Sequence, residues 1–200
     1  MSGLADGVDR LLEGSVFGSF TRLGPLVRRR LERWPSLEGY QLAGRVVVIT
    51  GATSGLGLTT ARALLKLGAT VEVVARNPEK AAATCAQLKV DTGSSKVGFV
   101  VADSGDLEAV RSAAQELLRR HSAVHVLIHN AGALDDVRHL SPQGLEQTVA
   151  SQVVGPHLLT TLLLPALRAA APSRVLWVSS GGNVQRAAGG RTARAPGRSL

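Results

Sequence analysis

From Arg45 onward, short apolar runs alternate with longer stretches in which apolar residues recur every three to four positions. Val46, Val47, Val48 and Ile49 form an unbroken apolar run ending in a glycine-rich turn, the pattern of a strand buried on both faces. This first strand is predicted at 45–50, and similar runs predict strands at 70–75, 96–101, 124–129 and 174–179. The intervening periodicity predicts helices at 55–67, 78–89, 105–120 and 142–170. Strand followed by helix, repeated, belongs to the α/β class, in which a doubly wound parallel sheet of about five strands carries helices on both faces. Local signals agree. Asn77-Pro78 and Ser141-Pro142 each place a capping side chain before a proline suited to the first helical position, and Gly68 follows the first helix. Pro156, beside Gly155, is expected to kink or break the last helix, because proline lacks the N–H donor and crowds the preceding turn.

The flanks behave differently. Residues 1–44 read as an extension with one amphipathic helix, Phe17 to Trp34, whose polar face is basic. It either packs on the main domain or makes a peripheral membrane contact. The domain proper is expected over 45–183. The stretch 184–200 is Gly, Ala, Arg, Pro and Ser without apolar periodicity, and should form a disordered basic tail.

The composition narrows the function. Of 200 residues, 44% are hydrophobic and 19% charged, a globular balance that excludes collagen-like, coiled-coil and disordered chains. Cys85 is the single cysteine, so neither an intrachain disulfide nor a cysteine-based zinc cage can form, no metal site is expected, and a reducing, cytoplasmic setting is the default. The apolar stretch Leu158 to Ala171 is interrupted by Thr160, Thr161, Pro165 and Arg168, and falls short of the roughly 20 residues a bilayer span needs. The net charge of +8 would suggest a polyanionic partner, but half of it comes from Arg186, Arg191, Arg194 and Arg198 in the tail. With no aromatic interleaving and no nucleic-acid motif, no specific nucleic acid is expected.

The most informative segment is Thr50 to Gly57, where the first strand runs into glycines at 51, 55 and 57 and then into a helix. Such a turn aims backbone N–H groups and a helix N-terminus at one point, where a pyrophosphate is stabilised by the helix dipole. Thr53 and Ser54 add hydroxyl donors, and Leu56 lies between the last two glycines. About 20 residues beyond such a turn, an acid would bind a ribose 2′-hydroxyl. Here Arg76 stands between Ala75 and Asn77, so a guanidinium is placed to meet a 2′-phosphate and NADP is preferred over NAD. Glu79 is close enough in sequence to be an alternative partner for Arg76.

The T-G-x-x-x-G-x-G spacing resembles the short-chain dehydrogenase/reductase family, and further motifs follow in order. Asp103, followed by Ser104, stands after the third strand where the family places an Asp near the adenine. His129-Asn130-Ala131-Gly132 is similar to the family's N-N-A-G, with His129 in place of the first Asn. Segments 158–167 and 174–182 look like the long helix and fifth strand of the branch containing the retinol dehydrogenases and dehydrogenase/reductase member twelve. The resemblance covers roughly residues 43 to 185. It implies a Rossmann-type fold, nicotinamide-dependent oxidoreduction of a small alcohol or carbonyl substrate, and a homo-oligomer in the manner of family dimers.

For catalysis the family uses a Ser, a Tyr and a Lys four residues after the Tyr. Ser180 matches the serine, with Ser179 as the neighbouring alternative, and Gln152 occupies the helix position where the family commonly has Asn. The only tyrosine is Tyr40 and the last lysine is Lys96, so no Y-x-x-x-K occurs. His129 and His157 are the remaining groups that titrate in the right range for a replacement acid. The C-terminal strands of a complete member are expected to be missing, leaving the edge of the fifth strand unpaired. The abrupt change after Ser-Ser-Gly-Gly is expected to mark a truncated, spliced or frame-shifted end. Such a chain should bind a dinucleotide better than it turns over. The competing reading is a non-catalytic nucleotide-binding or regulatory protein.

Overall fold

The computed structural model describes residues 39–133 and 137–179. The proposed helix over 17–34, Ser180 and the basic tail lie outside them. Five strands form one sheet in the order β3-β2-β1-β4-β5, with β1 Val46–Thr50, β2 Thr70–Ala75, β3 Val97–Val101, β4 Val126–His129 and β5 Arg174–Trp177. Every neighbouring pair is parallel. The predicted strands are therefore all present, within two residues of their expected ends.

Helices α1 Gly55–Lys66 and α2 Pro78–Thr92 cover one face, and α3 Leu107–Arg120 and the long last helix cover the other. Alternate residues of β1 explain this: Val47 and Ile49 pack with Ala61, Leu65 and Leu88 on the first face, whereas Val48 packs with Val110, Leu117 and Leu163 on the second. Val47, Val48 and Ile49 are wholly buried, so the first strand has no polar side to show.

The caps decide where the elements stop. Asn77 accepts a hydrogen bond from the Lys80 N–H at 2.6 Å with Pro78 in the first turn, as its sequence predicts. Helix α2 runs three residues past its predicted end, to a left-handed Gly93 (φ 68°) that is open to solvent at the amino-terminal pole of the sheet.

The last helix differs from expectation. Ser141-Pro142 does not begin it, because the Ser141 hydroxyl and backbone are committed to a turn with Leu145, and Leu140 bridges to Glu146. Glu146 is the true cap, its carboxylate accepting from the N–H groups of Thr148 and Val149. A short helical turn α4 (Gln147–Val149) leads into a π-helical turn, Ala150–Val154, and then α5 (Gly155–Ala169). Pro156 is thus accommodated without a break: the wider turn, with the Gly155 N–H bonded to the Ala150 carbonyl, precedes a proline in the first turn of α5. The continuous run Gln147–Ala169 is 23 residues long and contains an 18-residue window of mean hydropathy 1.3, so by length and composition it could span a bilayer, contrary to the count from Leu158 alone. In the fold, Leu159, Leu163, Ala166 and Leu167 of this helix are buried against the sheet and α3.

One core residue goes against its hydropathy. Glu72 lies buried in β2, facing Gly98 of β3, where a Cβ would come within 2.7 Å of its carboxylate. Arg120 (3.1 Å) and His121 (2.8 Å) at the end of α3 satisfy the two oxygens. A buried carboxylate requires such partners.

Candidate functional site

The carboxyl ends of β1, β2, β3 and β4 open into a cleft of about 740 Å³. Helices leave β1 and β4 toward opposite faces, which creates the crevice in which doubly wound sheets hold ligands. Gly51, Thr53, Ser54, Gly55, Leu56 and Gly57 from the first turn, Arg76, Asp103 and Ser104 from the next two, and Asn130, Ala131, Gly132 and Gln152 all line it. The fold therefore gathers there every described cofactor candidate and Gln152, but not Ser179, His129 or His157. Ser179 is exposed just past β5, and Ser180 lies outside the described residues.

The first turn is shaped by close backbone approaches. Gly51 has φ 68°, and a Cβ there would lie 2.7 Å from Ala131 Cα; a Cβ on Gly57 would lie 2.5 Å from the Gly51 carbonyl oxygen. Each substitution would require backbone to move, and Gly51 would be strained as well. At the mouth, Gly55 also has positive φ but nothing within 4 Å of where a Cβ would stand.

Thr50 and Asn130 tie this turn to β4. The Thr50 hydroxyl accepts from the N–H groups of Asn130 (3.1 Å) and Ala131 (3.0 Å), while Asn130 Nδ2 donates to the carbonyls of Thr50 (3.2 Å) and Gly51 (3.1 Å). Asn130 thus holds the wall of the cleft in place through its side chain. Ser54, the N-cap of α1, makes no capping bond, so its hydroxyl stays uncommitted. The amides of Gly55, Leu56 and Gly57 begin the helix without intrahelical acceptors.

The charge in the cleft is arranged by position. Asp103 is the only acid among the lining residues; its carboxylate accepts from the Gly105 N–H at 2.8 Å, which shapes the loop after β3. Arg76 is exposed and among the described residues makes no ion pair, with Glu79 or any other acid. Lys80 joins it at the same end of the cleft. Lys80 was not singled out from the sequence; its signal is its place in the first turn of α2, four residues after Arg76. Thr50 also escaped notice as a clamp, because a strand-end threonine carries no pattern of its own.

Across the cleft, Gln152 Nε2 donates to the Ala133 carbonyl from within the π-helical turn. The two histidines lie elsewhere. His157 is exposed on α5, and His129 is buried behind the cleft floor, so neither is among the lining residues. Burial pushes His129 down to about 4, and its Nε2 contacts the Thr160 hydroxyl at 2.8 Å while its ring lies 4.3 Å from that of Trp177.

Comparison with known proteins agrees with this geometry. The chain is 35% identical over 166 residues to human retinol dehydrogenase 12, covering 83% of this chain and 52% of that protein. It is 39% identical over 168 residues to dehydrogenase/reductase SDR family member 13 of Bos taurus, covering 84% and 43% respectively. The chain thus spans about half the length of these relatives. Among solved structures, L-sorbose reductase from Gluconobacter frateurii, complexed with NADPH and L-sorbose, superposes with a TM-score of 0.56 at 27% identity, over 64% of this chain and 49% of that one. The short chain dehydrogenase family model matches residues 45–192. A parallel five-stranded sheet, a glycine turn at the end of its first strand and these matches together place the chain in the short chain dehydrogenase family.

Proposed function

We propose that the cleft binds NADP(H) and that the chain is the nucleotide-binding part of an oxidoreductase acting on a small alcohol or carbonyl compound. The observation that carries the cofactor choice is Arg76: a guanidinium at the end of β2, unpaired among the described residues, with no carboxylate beside it to take a ribose hydroxyl. The uncommitted Ser54 hydroxyl and the amides that open α1 suit a pyrophosphate, and the turn around Asp103 suits an adenine edge. When bound, the nicotinamide supplies or accepts the hydride. On the far side of the cleft Gln152 is fixed by Ala133, and Gly132 leaves space beside it for a flat ring. The proton partner of the hydride belongs to Ser180 and to a tyrosine–lysine pair that this sequence does not contain. The chain is accordingly proposed to bind the dinucleotide more readily than it turns substrate over. A cytoplasmic setting, with peripheral membrane contact through 17–34, completes the proposal.

Calorimetric titration with NADPH and NADH, using the wild type and Arg76→Glu, tests it. The substitution should cost NADPH about 1.5–3 kcal/mol, the usual worth of a hydrogen bond to a charged group, and leave NADH nearly unchanged. Equal losses for both cofactors would reject the role of Arg76.

A further inference from the structure

A second, much smaller space lies behind the cleft floor. It measures about 10 Å³, and Thr50, Ser104, Val110, Ala113, His129 and Leu159 are among its walls. That is about the room one water molecule needs.

Proton bookkeeping around this space leaves two groups unpaired. Thr160 has a single hydroxyl proton, which it donates to the Pro156 carbonyl at 2.9 Å. The 2.8 Å contact between Thr160 Oγ1 and His129 Nε2 must then be Nε2–H donating to the hydroxyl oxygen. His129 Nδ1 is left with a bare lone pair, and it is buried without a protein partner. The Thr50 hydroxyl accepts from two backbone N–H groups, Asn130 and Ala131, so its own proton is also uncommitted. Continuing the β1–β4 register past Ile49–Ile128 sets Thr50 beside His129, both on the face that packs against α3 and α5.

We infer that this space is a binding site for one structural water, which accepts the hydroxyl proton of Thr50 and donates to Nδ1 of His129. The carbonyl of Ser104, which faces Gly155 in the same wall, takes the second proton of the water. A donor and an acceptor that make no bond to each other are thereby both satisfied, and an unpaired buried polar group is costly enough to demand this. The arrangement links the end of β1 to the end of β4 and, through Thr160, to α5. Burial keeps the His129 ring neutral at pH 7, so Nδ1 stays an acceptor. The site does not depend on which cofactor occupies the cleft.

The test is nuclear magnetic resonance on the full ¹⁵N-labelled chain, with a high-resolution crystal structure beside it. Long-range ring correlations should show His129 protonated on Nε2, with Nδ1 shifted upfield of a bare imine nitrogen. Water-selective spectra should give a cross-peak to the Thr50 hydroxyl or the His129 ring, and the crystal should show solvent density between them. Thr50→Ser, which keeps the hydroxyl, should retain the cross-peak, and His129→Phe should lose it. A proton on Nδ1, a bare-imine shift without a water cross-peak, or a crystal cavity without density would overturn the inference; so would a cross-peak that survives His129→Phe.

Discussion

The two flanks of β1 differ in how completely they are closed. Toward β2 the sheet is sealed: Val71 and Val73 are fully buried, and even the out-of-character Glu72 has Arg120 and His121 to satisfy it. Toward β5 the sheet thins out, and Leu176, Trp177 and Val178 are about half exposed along an edge strand. The residues proposed to meet the adenosine end of a dinucleotide sit on the closed flank, and those proposed for its reactive end sit beside the open one. Affinity and chemistry can thus depend on separate parts of one sheet. Among the described residues no strand pairs with the outer edge of β5, and such an edge offers backbone groups to another strand.

If the turn at the end of β1, where the two flanks meet, is as rigid as its packing implies, disturbing it should cost most. Gly51→Val combines positive φ with a clash against Ala131 and should lower the free energy of unfolding by on the order of 4 kcal/mol, read from urea denaturation. A loss below about 1 kcal/mol would show that the turn yields easily.

Between the flanks, His129 gives a pH signature. Its folded-state value of about 4 lies below its ordinary 6.5, so as the pH falls the unfolded chain takes up the proton first. Its contribution is therefore fully present above 6.5 and is lost as the pH drops through that window toward 4. That loss should approach about 3 kcal/mol and should disappear from the difference between pH 7 and pH 4 in His129→Asn. An unchanged pH slope in the variant would contradict it.

The open flank should respond least. Trp177→Ala is expected to cost about 1–2 kcal/mol, less than a buried tryptophan, because only the side packed on His129 is lost. Leu176→Ser should stay within about 0.5 kcal/mol. Costs on β5 matching those on β1 would erase the distinction between the two sides.

Much of this arrangement was legible from the sequence because it rests on local chemistry. An unbroken apolar run, glycines at a strand end and an Asn-Pro cap each specify structure within a few residues, and all the strands and most of the cleft follow from them. The start of the last helix was misread because Ser141-Pro142 has the right residues for a cap, while a turn closing on Leu145 and the bridge from Leu140 to Glu146 compete for the same backbone. Contacts distant in sequence left no local trace. Glu72 is tolerated only because Gly98 and Arg120 come to it from other elements, and the clamp of Thr50 on Asn130 spans 80 residues. Lys80 entered the cleft unnoticed because its position depends on the direction in which α2 leaves β2.

The solvent-facing Gly93 turn lies at the opposite pole from the crevice. A fluorophore, epitope or surface tether inserted there would leave the mouth unobstructed, so the chain could be immobilised in one orientation with its ligand entrance facing the bulk solution.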